Sequence, residues 1–201
     1  IQEVKAAIRY VRKYAEKYQL DGGKIALLGE SAGAHYAALT AVSSAAGKLR
    51  DPEWPNQEIS DEVQAVIAVY CPVDLGKMSE YFSVEEEAWG LKTIITEYGE
   101  PDSMEGVLLG GPAKERKEMV KLANPDCYIK CPPFLFLHGT QDQVVPILGA
   151  MSFAADIKNV AGLDKARFQT VEGAHHDIHD FEKEWIYDLE ADFLREKMGV
   201  K

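Results

Sequence analysis

Cysteine is scarce in this chain: three in 201 residues, Cys71, Cys127 and Cys131. An odd count without a regular framework excludes a disulfide scaffold and fits a reducing compartment, so the cytoplasm is the expected location. Cys127 and Cys131 stand four apart, which is not C-x-x-C, and read as small packing residues. Positive charge is also short: 22 Lys and Arg face 33 Asp and Glu, for a net charge of −11. A polyanion repels nucleic acid, which is therefore not an expected partner. No apolar run approaches the ~20 residues that cross a bilayer. The opening "IQEVKAAIRYVRKYAEKY" is amphipathic rather than continuously apolar, unlike a signal peptide. There is no repeat and no low-complexity tract. What is present is 46% hydrophobic and 27% charged residues, the balance of a globular domain long enough to bury a core without staples.

Val4, Ala7, Ile8, Val11, Tyr14 and Ala15 recur in steps of three and four, which predicts one apolar helix face over 2–18. "DGGK" at 21–24 ends that helix. "KIALLG" (24–29), "VQAVIAVYCP" (63–72), "PFLFLHG" (133–139) and "ARFQTVEG" (166–173) read as four strands, apolar on both faces. Helices are expected over 31–46, rich in small residues, over 146–162, opening on Pro146, and over 180–198. Residues 75–126 are charged, irregular and dotted with aromatics. They read as a cap-like insertion, with Tyr81, Phe82, Trp89 and Tyr98 as candidates to line a pocket and Trp54 as another. The alternation predicts a single α/β domain over 1–201, a mostly parallel sheet covered by helices. Ligands on such sheets bind beyond the carboxyl ends of the strands, so the loops at 29–33, 71–75, 138–145 and 173–179 hold the candidate residues.

The first loop is "GESAG", Gly29 to Gly33, between a predicted strand and a predicted helix. This is the G-x-S-x-G pattern, in which a strained turn lifts a serine out of the sheet. Gly29 and Gly33 are expected to avoid collisions across that turn. Ser31 becomes a nucleophile only beside a base, and the Ala32 N–H faces a developing oxyanion. The alternative for Ser31 is a helix-capping serine. The third strand exits at Asp142 and the second at Asp74; either carboxylate is able to orient a base. The fourth strand exits into "EGAHHDIHD" (172–180), with three of the five histidines, so His175 and His176 are the candidate bases. The order Ser, Asp, His is that of one hydrolase class. A rival reading makes His175, Asp177, His176, His179 and Asp180 a metal cluster, because 175 and 179 are spaced i, i+4. It leaves the serine turn unexplained, and no metal is expected.

These motifs resemble the catalytic C-terminal portion of an α/β-hydrolase, in the carboxylesterase branch that includes hormone-sensitive-lipase-like and feruloyl or acetylxylan esterases. "GESAGAH" resembles the elbow G-[DE]-S-A-G-G-H, "HGTQDQVVP" the acid loop H-G-x-x-D-x-x-V-P, and "EGAHHD" the base loop G-A-x-H-G-F. "EGVLLGGPAKERKEMVKLANPDCYI" resembles the segment leading to the acid strand. The resemblance implies a serine hydrolase that cleaves carboxylic esters of small molecules through an acyl-enzyme, without cofactor. It implies Ser31 as nucleophile, His176 as base and Asp142 as acid, with His175 and Asp74 as alternates. Asp177-Ile178 replace the usual Gly-Phe after the histidine. His35 and His138 are expected to be structural, His138 by shaping the acid loop. Asp180 is expected to cap the last helix, with Asp177 and His179 on its approach.

The family has about four further strands upstream, and an H-G-G loop that completes its oxyanion hole. No H-G-G occurs in these 201 residues. The expectation is therefore an N-terminally truncated chain with "KIALLG" as an exposed edge open to homo-oligomer formation. Its oxyanion hole would hold one donor, and losing a donor costs about 100- to 1000-fold in rate. A serine peptidase of the same fold and a non-catalytic binding fragment are the other readings.

Overall fold

The computed structural model describes residues 1–128 and 130–200, so Ile129, the last residue of the "EGV…CYI" segment, lies outside the described residues. Four short runs rich in Val, Ile, Leu and Phe form one parallel sheet: β1 (Ala26–Glu30), β2 (Ala65–Val69), β3 (Phe134–Gly139) and β4 (Ala166–Val171), side by side in chain order. The connecting segments among the described residues carry helices α1 (Gln2–Lys13), α2 (Ala32–Ala45), α3 (Met78–Trp89), α4 (Met104–Leu109), α5 (Lys117–Ala123), α6 (Ile147–Ala161) and α7 (Glu184–Met198). This is the α/β-hydrolase type of layering.

Successive side chains of a strand point to opposite faces, and the two central strands are buried at every position because both faces are covered. On one face Val66, Ala68, Phe134 and Phe136 pack with Ala34, Ala38 and Ala41 of α2 and Phe153 and Ile157 of α6. The alanines let α2 lie close to the sheet. On the other face Ile67, Val69, Leu135 and Leu137 meet Ile186 and Phe193 of α7. Each large side chain fully buried in this way stabilises the fold by roughly 1.5–3 kcal/mol.

The outer strands differ from the expectation of burial on both faces. Leu28 of β1 is 57% exposed, and β4 is buried only at its two ends. Each has a hydrogen-bonded neighbour on one side alone. The buried side of α1 also differs: it includes Lys5 and Arg9, whereas Ala7 is exposed. Lys5 donates to the Lys48 carbonyl, and Arg9 donates to the Pro55 carbonyl and the Asp61 carboxylate. The long cations are buried because they satisfy the loop between α2 and β2. The regular part of α1 stops at Lys13, and a 3₁₀ turn covers Glu16–Tyr18.

Residues 75–126 carry α3, α4 and α5 and are closed at the base. Asn124 donates to Asp74 at 2.8 Å and accepts from the Leu75 N–H at 3.1 Å, so one side chain staples the exit to the return. Further in, the Ile94 N–H donates to the Gln143 carbonyl, and the Gln143 amide donates to the Lys92 carbonyl. Leu75 and Met78 pack on Val145. The segment therefore lies against the loop that leaves β3. Among the described residues no helix is long and apolar enough to cross a membrane.

Candidate active site

β1 runs directly into α2 through Ser31, whose backbone sits at φ 52°, ψ −123°. Such a conformation is costly for a residue with a side chain and marks a functional turn. The turn closes because a Cβ on Gly29 would lie 2.3 Å from the Gly33 carbonyl oxygen. The crowding is one-sided: a Cβ on Gly33 would meet nothing within 4 Å, so the collision expected at Gly33 does not occur. Ser31 makes no side-chain cap to α2. Its Oγ lies 2.8 Å from His176 Nε2.

The acid and base loops are joined at a second glycine. A Cβ on Gly139 would lie 2.2 Å from the Ala174 carbonyl oxygen. That close approach lets the Gln141 N–H donate to Ala174 and the Thr140 N–H to Val171. Asp142 and His176 are thereby brought together, and His176 Nδ1 lies 2.9 Å from Asp142 Oδ2. Asp142 is 1% exposed. Its Oδ1 accepts from the Val144 and Val145 N–H groups at 2.8 and 2.9 Å. Its Oδ2 is shared with His138 Nε2 at 3.3 Å, which also donates to the Val145 carbonyl at 3.1 Å. Burial opposes the charge on Asp142, but hydrogen bonds from His138 and His176 outweigh it and hold the carboxyl well below the usual carboxylate range. An ionised Asp142 requires the proton of His176 on Nδ1, which leaves Nε2 to accept from the Ser31 hydroxyl.

Two residues outside the sequence reading steady this arrangement. The ring of Tyr70, at the end of β2, lies 4.5 Å from that of His176 and 5.0 Å from that of Phe181. Its hydroxyl donates to Glu30 at 3.0 Å, and burial and that carboxylate push its pKa up. Glu30 is the variable residue of G-x-S-x-G, and only the acidic position of the elbow pattern G-[DE]-S-A-G-G-H signals it; nothing in the sequence signals its Tyr70 partner. His35 Nδ1 lies 2.9 Å from the Pro72 carbonyl, and burial lowers its pKa.

The other candidates lie elsewhere. Asp74 is held by Asn124, by the Gly76 N–H and by Lys77 at 3.4 Å. His175 Nδ1 and N–H both turn to Asp180, at 3.2 and 2.7 Å. Asp180 therefore braces the base loop and does not cap α7, which begins four residues later at Glu184. Asp177 caps the intervening 3₁₀ turn through the His179 N–H, and His179 pairs with Glu182. The spacing of 175 and 179 does not fall on a helix, and the three imidazoles diverge to separate partners. Among the described residues no group of three His, Cys, Asp or Glu is arranged to hold a metal.

Ser31, Ala32 and His176 open into a cavity of about 360 Å³. Its wall is mainly apolar, with Leu75, Met78, Met104 and Val145 among the residues. The Ala32 N–H opens α2, where the first-turn donors have no intrahelical acceptor. Of the aromatic residues expected at the pocket only Tyr98 lines it. Phe82 is buried behind Tyr98, stacked at 5.6 Å, and Tyr81 packs beside Gly149. Trp89 is 58% exposed, and Trp54 lies in the loop facing α1.

A family model described as BD-FAE matches residues 1–157. The chain belongs to the BD-FAE family. This places it in the carboxylesterase branch of the α/β-hydrolases. It is 31% identical over 179 residues to Esterase LipQ of Mycobacterium tuberculosis, covering 88% of this chain and 38% of that protein. It is 28% identical to Esterase LipC of the same organism, covering 80% of this chain and 36% of that one. The BD-FAE chain thus spans less than two fifths of these curated relatives. Among solved structures, a truncated form of a carbohydrate esterase from gut microbiota superposes with a TM-score of 0.80 at 28% identity, covering 99% of this chain and 68% of that one. Thermogutta terrifontis esterase Est2 with butyrate bound superposes with a TM-score of 0.68 at 26% identity, covering 97% and 64%.

Proposed function

We propose that this BD-FAE member hydrolyses carboxylic esters of small molecules, with Ser31 as nucleophile, His176 as general base and acid, and Asp142 as the orienting carboxylate. The observation that carries the reading is the unbroken hydrogen-bonded chain from Ser31 Oγ through His176 to Asp142, opening into a cavity. The esterase relatives support the reaction class.

As Ser31 Oγ attacks the ester carbonyl, its proton passes to His176 Nε2. The imidazolium that forms is stabilised by Asp142, whose charge is secured by three further donors. The tetrahedral oxyanion takes the Ala32 N–H. His176 then gives its proton to the leaving alcohol, and an acyl group remains on Ser31. Water enters, loses a proton to the same nitrogen and releases the acid. The segment 75–126 roofs the substrate cavity in this reading. A fluorophosphonate probe should label the protein stoichiometrically and fail to label Ser31→Ala; labelling that persists in the variant removes the assignment. Turnover of p-nitrophenyl esters but not of aminoacyl anilides separates esterase from peptidase.

A further inference from the structure

The cavity beside Ser31 contains one charged side chain that the reaction above does not use. Glu105, in α4, is 6% exposed and lines the cavity with Tyr98, Met104 and Leu108. Among the described residues no donor of the protein pairs with its carboxylate, and its oxygens are not among the sealed polar atoms of the interior. A carboxylate withdrawn from bulk water without a protein partner keeps its acceptor positions open. Other polar groups near Glu105 are already engaged. Tyr98 donates to the Val144 carbonyl and contacts Thr93. Ser103 accepts from the Gly106 N–H and donates to the Glu100 carbonyl. Glu105 is therefore the carboxylate of the cavity lining whose acceptor capacity no protein donor fills among the described residues.

We infer that Glu105 is a specificity-determining residue that accepts a hydrogen bond from a hydroxyl on the substrate, at the end of a group whose body lies on Leu75, Met78 and Val145. The inference rests on the ester-hydrolase reading of the same cavity. A hydroxyl suits the wall better than an ammonium. A hydroxyl has a single donor, which one carboxylate satisfies, whereas an ammonium carries three and would leave at least one unmet among apolar neighbours. A site built to pair a hydroxyl also rejects the analogue that lacks it, because the buried acceptor is then left bare.

The test is calorimetric binding to the full chain carrying Ser31→Ala, so that esters stay intact. Two matched pairs are compared: p-nitrophenyl ω-hydroxyhexanoate with the hexanoate, and ω-hydroxyhexyl butanoate with hexyl butanoate. These place the hydroxyl on the acyl or the alcohol half. One pair should favour the hydroxylated ester about tenfold or more. Adding Glu105→Ala should abolish that preference, the hydroxylated ester losing affinity relative to the plain one, and Glu105→Gln should keep a reduced preference. Equal binding within both pairs overturns the inference, as does an equal loss for both members in the variants. Tighter binding of p-nitrophenyl ω-aminohexanoate than of the hydroxy ester also overturns it. Hydrolysis of the plain hexanoate by the chain with Ser31 intact reports on the reaction separately. Its failure, with the hydroxyl preference retained, would count against the triad and not against Glu105.

Discussion

At the scale of single residues, the proposed chemistry depends on how Asp142 is held. Four donors converge on one buried carboxylate, so removing its charge changes more than one bond. Asp142→Asn preserves shape but presents an amide that favours the wrong tautomer of His176. The expected loss is about 10⁴-fold in kcat, read with a p-nitrophenyl ester in a variant whose melting curve remains cooperative. Because the Asp142 carboxyl is held below the ordinary range, it remains charged across the mildly acid region. The acid limb of the rate profile should then follow a single proton. A two-proton limb above pH 4 would show that Asp142 titrates there and that its donors are weaker than the geometry implies. The stability that this ionised group contributes is present above the ordinary aspartate pKa and is lost only as pH falls through its depressed folded value.

At the scale of elements, the turn at Ser31 and the junction between α3 and α6 each hang on one close contact. A methyl at Gly29 has backbone on the far side and nowhere to go, whereas one at Gly33 enters open space. Gly29→Ala should therefore lower stability by about 3 kcal/mol or more, and Gly33→Ala by less than about 1 kcal/mol, in urea titrations. Similar costs for the two would refute the one-sided turn. Glu85 projects from α3 onto the start of α6, where the Leu148 N–H donates at 2.9 Å; its other oxygen is buried without a partner. Burial pushes its pKa up to about 7. The folded state thus holds this proton between the unfolded carboxyl pKa and about 7, and stability falls as pH rises through that window, by roughly 3 kcal/mol. Glu85→Gln should flatten the fall. Urea midpoints at pH 5 and 8 provide the check, and an unchanged slope in the variant would contradict it.

At the scale of the whole molecule, the net charge of −11 acts on what approaches the cavity. An anionic ester should have a kcat/KM that rises with ionic strength, while that of a neutral ester of equal size stays flat. Parallel salt dependence for the two would show that the long-range field is irrelevant to capture. Much of this molecule is legible in its sequence. The sheet order follows from short apolar runs alternating with helix-length segments, since parallel strands need long crossovers. The placing of Ser31, Asp142 and His176 beyond strand ends follows from local patterns of glycine and apolar residues. Other features depend on tertiary structure because they arise where distant segments meet and carry no local period. Lys5 and Arg9 are buried because a loop more than 40 residues away offers them carbonyls and Asp61. The cavity is walled by Met78, Met104 and Glu105 rather than by Tyr81, Phe82 and Trp89 because the insertion folds back on the acid loop. Only the resemblance to G-A-x-H sets His176 apart from His175 in the sequence; composition and spacing leave the two equivalent. The close approach at Gly139 turns His176 towards Ser31 and leaves His175 to Asp180.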